Sequence, residues 1–408
     1  MTSVVDTSVK YFSSQMSGAP VLSGTAGSII ALLDACLKDG FDIKTLASLT
    51  VAGGVATATY TGSHSAVVES VVQIAGVTGE LDVLNGEQKI TAKPGAGSVR
   101  FATSAPDGTA AGTVTMKMAP LGWLKPFSGP NLGAYKSGDP ASTGMFLRVD
   151  DTNAATTRVV GYESMTDISS GVGAFPRNEV VVNGGAWGKS PVANSNPVGW
   201  VLIGDGRMFY LHISAYMGSA VGTYDRYTVG AVRGFGDMIA LKPSGDAFAC
   251  ALSAFFNDPA PQWLSYPQYS TFDNASQSVY TARNHSGLGT AYAMASYPYT
   301  GQPSTVSGMD GTFGAFPSRI DGKLRLSPRY LRSFDTLQPE PRCEVPGLLT
   351  IPQNFVYGQI SHRDIVPATG EYAGRKLLAL TVGNGYSSDP TTSNNTGVTL
   401  IDITGPWR

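Results

Sequence analysis

Apolar and polar positions change their period along the chain, and the changes predict its elements. Between Thr25 and Gly40 the apolar residues Ile29, Leu32, Leu33, Cys36 and Leu37 recur at helical spacing, with Lys38 in the last turn and Gly40 placed to end it. This is the one convincing helix pattern. From residue 49 the period drops to two. Residues 49–52 and 55–61 flank Gly53-Gly54, which predicts a hairpin, because both glycines can take the positive φ of a type I′ turn. Residues 67–74 alternate again, and Leu84-Asn85-Gly86-Glu87 predicts a second hairpin turn leading into residues 88–92. In residues 113–118, Val114, Met116 and Met118 fall on one face. Ala119-Pro120-Leu121-Gly122 then closes this module, since proline cannot continue a central ladder.

Beyond Trp123 the strand patterns continue without a helix of useful length. The clearest cover residues 145–149, 158–163, 198–203, 208–213, 238–241, 247–252, 376–382 and 398–403, separated by loops rich in Gly, Pro, Ser and Asn. Antiparallel pairing is expected, in a sandwich or barrel, rather than βαβ units. The fold class predicted is mainly β and multi-domain. Residues 1–45 form an N-terminal arm and the single helix, 46–120 a small β module (immunoglobulin-like or a small barrel), and 121–408 a large antiparallel β-sandwich or barrel body with long loops. One short amphipathic helix cannot bury its stripe alone. Ile29, Leu32, Leu33 and Leu37 are therefore expected to anchor the chain, on its own sheets or on a neighbouring subunit.

Composition narrows the functional classes. Charged residues make up 14% of the 408, against about 25% in an ordinary soluble protein. The net charge is −2, and no run of Lys and Arg gives the footprint of a nucleic-acid binder. Subunits covered by neighbours in an assembly need fewer charges to stay soluble, so the deficit fits an assembly component as well as a large β protein. Cys36, Cys250 and Cys343 are far apart and odd in number, which fits buried free thiols rather than disulfides or a metal knuckle. Residues 1–6 carry no secretory pattern, and no apolar run approaches the ~18 residues of a membrane span. Neither a cofactor nor membrane insertion is expected.

Several motifs suggest chemistry and have a plainer reading beside it. Val180 to Ser190 ends in Gly188-Lys189-Ser190, as a phosphate-binding loop does, yet Asn183 replaces the first glycine and Pro191 blocks the helix such a loop needs. A glycine-rich loop is expected. Asp150-Asp151 has the residue type of half a glycosidase carboxylate pair, but no partner is identifiable and Asp-Asp-Thr-Asn also makes a strand-ending turn. Gly204-Asp205-Gly206 and Ser244-Gly245-Asp246 read as tight turns. The four histidines, His64, His212, His285 and His362, are scattered and match no catalytic motif. The most aromatic stretch holds Trp263, Tyr266, Tyr269, Phe272, Tyr280, Tyr292, Tyr297 and Tyr299. Its rings pack in a core, meet another subunit or stack on a glycan. Trp263, Tyr266, Tyr269 and Phe272 are the candidate contact residues.

The module from His64 through Phe101, with Ile74-Ala75-Gly76-Val77, Leu84-Asn85-Gly86 and Val99-Arg100-Phe101, resembles a small β module that recurs in virion proteins of tailed bacteriophages. The body is similar to a group of phage and prophage tail-region structural proteins. The matching stretches are Gly122-Trp123-Leu124-Lys125-Pro126-Phe127, Leu147-Arg148-Val149-Asp150-Asp151-Thr152, Val159-Val160-Gly161-Tyr162-Glu163, Gly204-Asp205-Gly206-Arg207-Met208-Phe209-Tyr210 and the ending Ile401 to Arg408. The resemblance implies a non-enzymatic virion subunit of the tail or baseplate, made in the bacterial host cytoplasm. Its expected partners are other tail or baseplate proteins and further copies of itself, as a trimer or hexamer. A tail-fibre protein touching a host surface glycan and a head decoration protein are the alternatives.

Overall fold

The computed structural model describes residues 3–216, 229–255, 272, 279–299, 307–333, 340–383 and 396–408. Within them the chain is mainly β, in three principal sheets. All eight body strands expected from the pattern are present, from Phe146–Asp150 to Thr396–Asp402, and all but one of the ladders are antiparallel.

The first sheet is the small module, an eight-stranded barrel running from Phe41–Thr45 to Thr115–Met118. Its opening hairpin pairs Ser48–Ala52 with Val55–Thr59, and Gly53 and Gly54 take φ of 56° and 77°. Both values are positive, as the twist-matching turn requires. The second expected turn is different. Val71–Ala75 does pair with Gly86–Gly95, but a 3-10 helix, Gly79–Leu84, fills the connection. The Asn85 side chain closes it by bonding both backbone groups of Val77.

The second sheet has five antiparallel strands, in the order Leu124–Gly129, Leu132–Lys136, Phe146–Asp150, Thr156–Tyr162 and Gly185–Gly188. The third has thirteen strands and curls until Gly230 pairs in parallel with Val382. The N-terminal arm forms one edge of it: Lys10–Ser13 pairs with Gly199–Gly204. Val9 and Phe12 are fully buried there, so the arm docks on its own chain.

The helix pattern divides into an α-helix, Ser28–Leu33, and a π-helical turn, Asp34–Asp39, ended by Gly40 at φ 73°. Ile29, Leu32, Leu33 and Leu37 are all fully buried in a core shared by the three sheets. Of the two places expected for the stripe, the chain's own sheets take it and cover the whole of it. The helix is fixed to the second sheet by Tyr135, whose hydroxyl donates to Asp34 at 2.8 Å, and by the Lys125–Asp34 ion pair. A second buried fastening joins module to body. Lys89 donates to the carbonyls of Ile403 and Thr404, each at 2.9 Å, with 1% of the residue exposed.

Candidate functional site

The five-stranded sheet positions a polar groove. Alternation along Phe146–Asp150 turns Leu147 and Val149 into the shared core, while Arg148 and Asp150 face the other way. Register then places Arg148 opposite Val160 and Asp150 opposite Arg158 on the neighbouring strand. The loop following that strand folds back over it to make a wall. Gly184 is the pivot of this return. A Cβ there would stand 2.3 Å from Val160 Cγ2, and its φ is +83°, so no other residue fits.

Together these elements enclose a groove of about 530 Å³. Two guanidiniums and one carboxylate line it. Both guanidiniums are held by backbone carbonyls. Arg148 Nε donates to the Ile168 carbonyl at 2.8 Å, and Arg158 Nη1 donates to the Gly184 carbonyl at 3.2 Å. Asp150 accepts from the Thr152 hydroxyl at 2.8 Å and stands 3.6 Å from Arg148 Nη2. Around them lie the amides of Asn153, Asn178 and Asn183, the hydroxyl of Thr156 and the ring of Tyr162. Asn183 adopts a left-handed φ of +61°, and its N–H is held by the Asn178 side chain at 2.9 Å.

The opposite face of the same strand end carries a different arrangement. Asp151 and Lys189, singled out separately by sequence, form one buried ion pair with neither side chain exposed. Asp151 also accepts from the Thr157 hydroxyl at 2.6 Å and from the Ile29 N–H, which opens the α-helix, at 2.9 Å. Lys189 donates to the Thr25 carbonyl at 2.7 Å. Burial pushes the Asp151 carboxyl up and the Lys189 ammonium down, the pairing opposing both. The glycine-lysine-serine motif is thus a structural joint between helix and sheet. Asp151 lies outside the groove, turned into the core.

Of the candidate contact residues, Trp263, Tyr266 and Tyr269 lie outside the described residues. Phe272 is fully buried, 5.9 Å from the Tyr210 ring, and its carbonyl accepts from Arg329. That corrects its reading as a glycan or subunit contact: core packing takes it. Tyr280 is buried as well, and Tyr299 is 72% exposed. Asp205 serves the expected turn, accepting from the N–H groups of Arg207 and Met208, each at 2.7 Å.

The histidines do not converge on one site. His212 and His362 pack with ring centroids 4.9 Å apart, and both bond Thr381 backbone groups. His64 is buried beside Asp42, and His285 borders a separate cavity of about 410 Å³. Lys242, Asp246, Glu340 and Arg342 are its charged lining, and Arg342 is engaged by Asp246, Thr281 and the carbonyls of Phe248 and Arg283. Cys36, Cys250 and Cys343 are buried free thiols. Among the described residues no group of three His, Cys, Asp or Glu side chains is placed to hold a metal ion.

The polar groove was not anticipated from sequence. Its wall at residues 176–184 depends on a loop return that carries no period. Against known proteins, no family model and no curated protein matches the chain.

Proposed function

We propose that the chain is a non-enzymatic structural subunit of a bacteriophage virion, in the tail or baseplate, acting by assembly with copies of itself and with neighbouring tail proteins. The observation that carries the assembly reading is a lobe that displays large apolar side chains. Phe313, Ile320 and Phe355 are 58%, 93% and 71% exposed. Their loops are tied together: Ala315 and Asn354 form a backbone bridge, and buried Gln353 bonds Arg325, Ala315 and Lys323. Phe355 sits at φ +61°, a conformation disfavoured for a bulky residue, so its ring is held outward at a cost. Beneath the lobe a separate core of Leu349, Ile351, Val356, Leu377 and Leu400 keeps it stiff. Rigid, exposed apolar tips suit burial against another protein.

The phage assignment itself rests on the resemblance of the module and body stretches. It is tested by light scattering on the purified chain and by antibody labelling of tailed particles. Label on the tail or baseplate, with self-association reduced by Phe313→Ser, Ile320→Ser and Phe355→Ser together, is the expected result. Label confined to heads would replace tail by capsid decoration, and unlabelled particles would overturn the virion reading.

A further inference from the structure

We propose that the apolar lobe of one copy docks on the hairpin end of the eight-stranded module of a second copy, a head-to-tail contact in which a basic rim meets an acidic one. The inference rests on the assembly reading above and names the partner of its lobe.

The rim of the lobe is basic. Ile320, 93% exposed, lies within residues 319–325, which hold the cations Arg319, Lys323 and Arg325 against the single carboxylate of Asp321. Arg325 takes that carboxylate at 2.8 Å. Arg319 and Lys323 are both exposed and form no ion pair. Asp310, which precedes Phe313 in the same lobe, accepts from the Thr312 N–H at 3.0 Å and has its second oxygen buried. Two such lobes cannot meet face to face without setting like charges together. A contact of like with like is therefore disfavoured, and the lobe calls for a different, acidic surface.

The module supplies one. Its 3-10 helix, Gly79–Leu84, places Glu80 and Asp82 in solvent on either side of buried Leu81. Leu81 packs beside Gly108, where a Cβ would stand 3.7 Å from its Cδ1. The preceding residue, Asp107, is also exposed and accepts from the Gly53 N–H at 2.8 Å, which fastens it to the hairpin tip. Glu80, Asp82 and Asp107 thus gather at one end of the module, and none of them forms an ion pair among the described residues. Apolar surface lies beside them, with Val55 39% and Val83 37% exposed. Rim charges select a partner more than they hold it. Burial of the apolar tips then supplies the affinity, and the charges decide what the tips are buried against. Because the two patches differ, each copy uses one of each, and the contact propagates into a ring or a filament.

The test is light scattering on the intact chain and on two charge-reversed variants, Arg319→Glu with Lys323→Glu, and Glu80→Lys with Asp82→Lys. Either variant makes the two patches of a copy alike in sign, and each alone should weaken self-association about tenfold or more. An equimolar mixture of the two should restore the parent's mass, because each reversed patch then meets its opposite on the other variant. A melting curve matching the parent's shows that each variant folds. A mixture that stays monomeric overturns the proposal. Self-association indifferent to the Glu80 and Asp82 reversal, yet lost on Phe313→Ser, Ile320→Ser and Phe355→Ser together, overturns this pairing and leaves the assembly role of the lobe standing. A parent chain that is monomeric at every concentration overturns the pairing together with assembly from copies of itself.

Discussion

The two faces of the five-stranded sheet use the same residue types for opposite ends. On the inner face Asp151 and Lys189 are wholly buried and joined to the first turn of the helix. On the outer face Asp150, Arg148 and Arg158 line an open groove, with 27% of the Asp150 side chain and 20% of that of Arg148 accessible. One residue of separation along a strand reverses the direction of a side chain. The inner carboxylate therefore lost its water and needs a permanent cation. The outer one kept its water.

The comparison predicts its largest effect at Lys189. Lys189→Met leaves Asp151 buried beside no cation, which costs about 3–5 kcal/mol, measured by urea unfolding at pH 7. Replacing both, with Asp151→Asn added, should return much of that loss, because burial opposes both charged forms. The pH dependence has a definite sign. In the single variant the Asp151 carboxyl stays raised above its unfolded value. Folding then binds a proton, and the variant regains stability as pH falls from 7. A variant equally unstable at pH 7 and pH 5 would show that the joint does not depend on the charge of Asp151.

A second buried group gives the next effect, with the opposite pH response. Burial depresses His212 to about 4 against the bond between its Nε2 and the Thr381 carbonyl, and repulsion from Arg233 adds to the depression. His362, packed against it, is depressed as well. Stability from a depressed histidine is complete above the unfolded value near 6.5 and is lost as pH falls toward 4. For His212 alone the loss is on the order of 3 kcal/mol across that window. Equilibrium unfolding at pH 7 and pH 4.5 should reveal it, and His212→Gln, which retains an N–H for Thr381, should flatten the curve.

Between the two faces lies the groove wall, where Gly184→Ala combines a positive φ with contact on Val160 and the Val159 carbonyl. The cost should be about 1–3 kcal/mol in thermal unfolding. Unchanged stability would mean that the loop return is not set by this glycine.

How much of this was legible depends on how local the determinants are. Gly53-Gly54 named its hairpin because a two-residue turn is decided by two φ angles. The body strands were readable because alternation is written into each strand separately. The helix stripe was visible too, yet what covers it was not. Ile29 and Leu33 meet sheets formed by residues far along the chain. Asp151 and Lys189 each drew notice, as a carboxylate and as part of a phosphate-loop pattern, but 38 residues separate them and no spacing rule joins them. The groove was least legible of all. Its Arg148 and Arg158 look like ordinary outward positions until the return at Gly184 gives them a wall.

The smallest effect is the most discriminating, because it sets two adjacent aspartates against each other. Asp150→Asn keeps an oxygen for the Thr152 hydroxyl and N–H and removes only a partly exposed charge 3.6 Å from Arg148. Such pairs contribute about 0–1 kcal/mol, so unfolding in urea should barely move. The identical change one residue on, Asp151→Asn, strands Lys189 in the core and should cost about 3–5 kcal/mol. Equal destabilisation by the two substitutions would show that the two faces of the sheet are not energetically distinct.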